Sequence, residues 1–69
     1  MKITLDKEAD AMYIEFSSGE FAKNKKIDDE TIIDLDKDGN ILGIELLNVS
    51  TRTKKGFLSD ITFKNLVPA

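Results

Sequence analysis

Apolar residues in this chain recur mostly at alternate positions, the two-residue period of strands that bury one face. Lys2–Leu5 sets Ile3 and Leu5 on one side. Ala11–Phe16 sets Met12, Ile14 and Phe16 against Ala11, Tyr13 and Glu15. Between them Asp6–Asp10 reads as a charged turn. Ser18-Gly19 predicts a tight turn that places Phe16 across from Phe21 as an aromatic cross-strand pair. Phe21–Ile27 is a polar third strand, and its Lys23, Lys25 and Lys26 suit a protected sheet edge. Asp28-Asp29 then turns the chain into its most strongly patterned stretch, Thr31–Leu47.

In that stretch two Ile/Leu runs flank Asp38-Gly39, a strong hairpin signal. A two-residue turn there pairs Leu35 with Leu42, Ile33 with Ile44 and Thr31 with Leu46. Ile33, Leu35, Leu42, Ile44 and Leu46 then share one face, and Ile32, Asp34, Asp36, Ile41, Gly43 and Glu45 share the other. A rival three-residue loop, Lys37-Asp38-Gly39 with Gly39 as a bulge, suits the turn chemistry. It scatters the apolar set over both faces, so the alternation favours the first register. Ile32, Ile41 and Leu47 leave the second face partly apolar, to be covered by the C-terminal segment or a second subunit. Gly43 marks a close approach of a neighbouring group to the strand.

Beyond Leu47, Ser50 caps a short helical turn over Thr51–Lys55, although residues 50–58 read equally as a loop, and Gly56 ends whatever forms. Asp60–Leu66 alternates again and predicts a last strand. Phe57, Leu58, Ile61 and Phe63 are expected as core or dimer contacts. The expected class is mainly β, α+β at most: an antiparallel meander of five to six strands with one short C-terminal helical turn, in a single domain over residues 1–69.

Length sharpens the picture. A chain of 69 residues buries only about 60% of its unfolded surface and is marginal without a staple. The sequence has neither Cys nor His, so disulfides, Cys/His zinc sites and histidine-based catalysis are excluded. Oligomerisation is the remaining common way to add buried area, and a homodimer is expected. No apolar run resembles a signal peptide or a membrane span, which makes cytoplasmic the default location. The net charge of −3 conceals a split: residues 1–47 carry six lysines against twelve acids, whereas residues 48–69 carry Arg52, Lys54, Lys55 and Lys64 against Asp60 alone. A basic tail docking on an acidic body is the simplest account.

Three chemistries can be drawn from the residues. Asp34-x-Asp36-x-Asp38-Gly39 followed by five residues to Glu45 satisfies the calcium-loop pattern of helix–loop–helix proteins. The flanks read as strands, however, and a hairpin points Asp34, Asp36, Asp38 and Glu45 apart. Asp34 and Asp36 with nearby Glu45 also form a carboxylate set of the kind used in acid–base catalysis, and Ser50 with Lys54 a nucleophile–base pair on paper. A chain this short encloses no substrate pocket, and solvated polar positions explain these residues as well. Nucleic-acid binding is opposed by the acidic body.

The clusters Asp6-x-Glu8-Ala9-Asp10-Ala11-x-Tyr13-Ile14 and Asp34-Leu35-Asp36-x-x-Gly39-x-Ile41-x-Gly43-Ile44-Glu45-Leu46-Leu47 resemble a family of small stand-alone prokaryotic proteins known only as a domain of unknown function. The resemblance covers roughly residues 2–50, and the chain from Thr51 onward extends beyond it. It implies a small, mostly β domain without established activity, and antitoxin-like partners of small toxin proteins are suspected among such chains. The expected function is therefore a non-enzymatic interaction module without cofactor, forming a homodimer or joining a small protein partner. Its interaction candidates are Tyr13, Ile32, Ile41, Glu45, Phe57 and Phe63. The alternative is calcium binding by the acidic 34–45 stretch.

Overall fold

The structure, a computed structural model, describes residues 1–53 and 61–67. Strands β1 (Lys2–Asp6), β2 (Ala11–Glu15), β3 (Lys23–Asp28), β4 (Thr31–Leu35) and β5 (Ile41–Leu47) are followed by one helical turn, α1 (Val49–Arg52). The strands form one antiparallel sheet in the order β1-β2-β5-β4-β3, the mainly β class the alternation implies. Carboxylates shape its reversals. Asp6 Oδ1 accepts the N–H groups of Glu8 and Ala9 at 3.0 and 3.1 Å, so the chain leaves β1 in a side-chain-stabilised turn. Asp28 Oδ1 accepts the Glu30 N–H at 2.8 Å between β3 and β4.

The predicted β2–β3 hairpin does not form, and Phe16 does not face Phe21. Residues 16–22 instead make a strap. Phe16 and Ser17 both donate N–H to the Leu42 carbonyl (2.8 and 3.2 Å), and Ala22 donates to Leu35 O (2.9 Å). The chain thus passes the ends of β5 and β4 and enters β3, from Lys23 rather than Phe21, at the far edge. The reason lies in partner quality. Against β5, β2 sets Ile14 opposite Ile44 and Met12 opposite Leu46, whereas β3 offers lysines. Gly19 lets the strap lie close, since a Cβ there would fall 2.7 Å from Leu42 Cδ2.

Both hairpin registers contribute at β4–β5. Thr31 pairs with Leu46, Ile33 with Ile44 and Asp34 with Gly43, as the two-residue turn requires; Leu35 then pairs with Ile41 across a bulge. The tip is the wider loop: Gly39 donates to Asp36 O (3.1 Å), Asp36 donates to Asn40 O (3.0 Å), and Gly39 has a φ of 84°, open to glycine at no steric cost. Leu42 is the extra residue that reconciles tip and strands. The bulge also corrects one expectation: Ile41 shares the face of Leu35, not that of Ile32 and Leu47.

After β5, Asn48 turns in the left-handed region (φ 54°) and α1 begins at Val49, not Thr51. Ser50 does not cap it; its hydroxyl donates to Asp10 Oδ2 at 2.6 Å and its N–H to Asp10 Oδ1 at 3.1 Å. Arg52 donates to Glu30 O (2.7 Å) and Thr31 Oγ1 (2.9 Å), so α1 ties the β1–β2 turn to the β3–β4 turn. Residues 61–67 are exposed and form no strand, against the expectation for Asp60–Leu66. The sequence there alternates, but among the described residues it lies along no sheet edge. Phe57, Leu58, Lys54, Lys55 and Gly56 lie outside the described residues.

The registers define two faces. On one, Ile3, Ile14, Ile44 and Ile33 run side by side across four strands, flanked by Leu5, Met12, Leu46, Leu35 and Ile41. On the other, Thr4, Tyr13, Glu45, Ile32 and Lys26 form one row, and Lys2, Glu15, Gly43, Asp34 and Asn24 the next. Among the described residues, the buried apolar side chains are Leu42 (6% exposed) and Val49 (3%). Among the described residues, nothing forms a second layer over the isoleucine face.

Candidate functional site

The polar face centres on Tyr13. Its ring leans across β5 and donates its hydroxyl to Asp34 Oδ2 on β4 at 3.2 Å. Tyr13 and Asp34 lie two strands apart, a gap of roughly 10 Å, and Gly43 between them makes the reach possible. A Cβ on Gly43 would collide with the Tyr13 hydroxyl, sit 2.6 Å from its Cζ and fall 2.7 Å from the Ile14 carbonyl oxygen. The close approach expected at Gly43 is therefore the phenol of Tyr13. Burial, the hydrogen bond to Asp34 and the charges of Asp34, Glu15 and Glu45 hold the phenol above its ordinary pKa of 10.0. A shallow depression of about 370 Å³ opens beside it, lined among others by Thr4, Asp6, Ala11, Asp34 and Glu45.

The calcium-pattern residues do not converge. Asp36 serves its own hairpin: Oδ1 accepts the N–H groups of Asp38 and Asn40 (both 2.9 Å) and Oδ2 the Asn40 amide (3.0 Å). Those donors, the Asn40 side chain foremost, hold its carboxyl below the ordinary 3.8. Asp38 is exposed at the tip. Asp34 is engaged by Tyr13, and Glu45 lies opposite Tyr13 and Ile32. Among the described residues no group of three or more Asp or Glu is placed to hold a metal ion. Asp34 and Glu45 do share a face, but Asp36, the third member of the carboxylate set, is spent on the turn. Ser50 is taken up by Asp10.

Of the interaction candidates, Tyr13, Ile32 and Glu45 stand together on the polar face. Ile41 has moved to the apolar one, where it is exposed. Phe63 is 85% exposed in the tail, and Phe57 lies outside the described residues. Alternation sets Ile3, Met12, Ile14, Ile33, Ile44 and Leu46 on apolar strand faces, yet none of them is buried. The described residues form one sheet and one helical turn, with nothing among them to make the second layer a domain needs. Sequence reasoning missed the Asp10–Ser50 and Arg52–Glu30 ties, which join residues far apart in the chain.

These features define a class: a small single-sheet β module, its reversals held by carboxylates, with one apolar face that no second layer covers among the described residues. The chain belongs to the family described as protein of unknown function (DUF2283), whose sequence profile matches residues 2–50. That span ends at the start of α1, so the family unit is the whole sheet, and the chain from Thr51 lies beyond it. No curated protein and no solved structure matches the chain. Among the described residues, no helix is long and apolar enough to cross a membrane.

Proposed function

We propose that this protein is a non-enzymatic interaction module that works by docking its isoleucine face on a second protein, in the first instance a second copy of itself. The observation that carries the reading is the row Ile3–Ile14–Ile44–Ile33 with its leucine and methionine neighbours, which no second layer covers among the described residues. A contiguous apolar patch of this kind marks an interface, and a lone sheet gains stability by burying such a face against another layer. The polar face supports the reading from the other side. There Asp34 accepts the Tyr13 hydroxyl and Asp36 holds the hairpin tip, structural roles that account for two of the three candidate carboxylates.

The test is the mass of the full chain in solution by light scattering, against 7.7 kDa for one copy. A dimer is expected, and Ile3→Lys, a change at an edge position already 47% exposed, weakens it while circular dichroism shows the sheet intact. A folded monomer that also emerges alone from native extract overturns the proposal. Recovery with a small second protein in place of a second copy assigns the same face to a heteromeric partner, the form an antitoxin-like role would take.

A further inference from the structure

We infer that the C-terminal tail, Ile61–Val67, is an exchanged arm: in the dimer, the tail of each copy lies across the isoleucine face of the other. The inference rests on the docking face proposed above and names what occupies it.

Two exposed apolar surfaces on one molecule motivate it. The tail presents Ile61 (60% exposed), Phe63, Leu66 and Val67, all exposed, and a segment this apolar is out of place in water. The face presents four isoleucines in a row, Ile3 exposed and Ile14, Ile33 and Ile44 partly so, with no second layer over them among the described residues. Dimensions match. Seven extended residues span roughly 23 Å, and five strands at about 4.8 Å spacing make a sheet roughly 19 Å wide, so the tail reaches from edge to edge.

Area gives a second argument. A face about 19 Å wide and five residues, roughly 17 Å, long has a footprint of about 300 Å². A stable interface takes about 800 Å² from each partner, which flat stacking of two such faces does not supply. Tail residues buried between the sheets add contact on both of their sides. Charge gives a third. Bare face-to-face stacking brings together two bodies whose residues 1–47 hold six lysines against twelve acids, and these repel. Lys64, the one charged residue of the tail, lowers that repulsion when the tail lies between them.

Two full-length variants decide the matter: Ile44→Lys, which spoils the face, and Phe63→Lys, which spoils the arm. Circular dichroism first confirms that each keeps its sheet, with Ile3→Lys standing in if Ile44→Lys unfolds. Each alone is expected to dimerise at least tenfold more weakly than wild type in sedimentation equilibrium. Mixed one to one, they are expected to recover part of the association, because the intact arm of the face variant fits the intact face of the arm variant. Three outcomes overturn the inference. If Phe63→Lys dimerises as wild type does, the face is an interface without the arm, and the docking reading survives alone. If wild type is a monomer whose Phe63 is shielded from solvent, the tail covers its own face. If both variants weaken the dimer but the mixture recovers nothing, arm and face act within one copy.

Discussion

Gly43→Ala puts the polar face under the sharpest stress. The new Cβ meets the Tyr13 phenol from above and the Ile14 carbonyl, at 2.7 Å, from the side. The phenol can swing away, at the loss of its bond to Asp34. The carbonyl belongs to the β2–β5 ladder and cannot move without parting two central strands. Overpacking of this kind costs about 1–3 kcal/mol. The lost hydrogen bond, half-exposed, adds about 0.5–1 kcal/mol, and the gain from stiffening a strand glycine offsets about as much. The net destabilisation is about 1–3 kcal/mol, against a total of roughly 3–10 kcal/mol for a domain of this length. Urea unfolding followed by circular dichroism at one fixed protein concentration measures it. Repeating the change in a Tyr13→Ala background separates the two obstacles: the share due to the phenol vanishes, and the share due to Ile14 persists. A Gly43→Ala protein within about 0.5 kcal/mol of wild type in both backgrounds would refute the packing argument.

Tyr13 is the single tyrosine and there is no tryptophan, so ultraviolet difference absorbance reads its ionisation directly. The midpoint is expected above 10.0 and moves down in Asp34→Asn. Because the folded phenol holds its proton more tightly than the unfolded one, its contribution to stability is complete below pH 10 and is lost as pH rises through the folded midpoint; an unshifted midpoint contradicts the geometry. Asp28 and Asp36 run the other way. The Glu30 N–H on Asp28 and the Asn40 amide on Asp36 depress both carboxyls, so their contribution is present above the ordinary 3.8 and is lost as pH falls through the folded values. Acid unfolding of Asp36→Asn should accordingly depend less on pH in that range than wild type does. Asp10→Ala removes two bonds to Ser50 and puts a side chain with no local hydrogen bond at φ 53°. The expected loss is about 1–3 kcal/mol by the same urea assay, with Asp10→Gly restoring the backbone share; equal, negligible losses in both would show that α1 is not held from Asp10.

Alternation carried most of the fold. Ile33 opposite Ile44 and Thr31 opposite Leu46 follow from counting apolar positions outward from Asp38-Gly39, and the lysines of β3 rightly mark an edge. Two things were not readable. The hairpin tip obeys local turn chemistry while the strands obey burial, and the bulge at Leu42 satisfies both, a compromise that no single register expresses. The β2–β3 connection fails because Ser18-Gly19 has the chemistry of a tight turn, whereas the choice of β5 as partner for β2 depends on apolar matching between distant strands. The polar site was half legible. Tyr13, Gly43 and Glu45 each drew notice in isolation, but Asp34 was noticed only for its spacing to Asp36, Asp38 and Glu45. A side chain reaching over a glycine to a third strand leaves no periodic trace.

The position of β5 has a kinetic consequence. Among the described residues, β1–β2 and β3–β4 are separate ribbons that share no backbone ladder except through β5, whose pairs with β2 are about 30 residues apart in sequence. A lone ribbon is marginal in water, so neither half is durable until β5 arrives. As the chain leaves the ribosome, all four earlier strands emerge before the segment that unites them. Folding is therefore late and all at once, with a rate governed by long-range loop closure. A chain stalled before residue 41 displays its isoleucines on bare ribbons, and the interval before β5 emerges is when this protein is most exposed to aggregation and proteolysis.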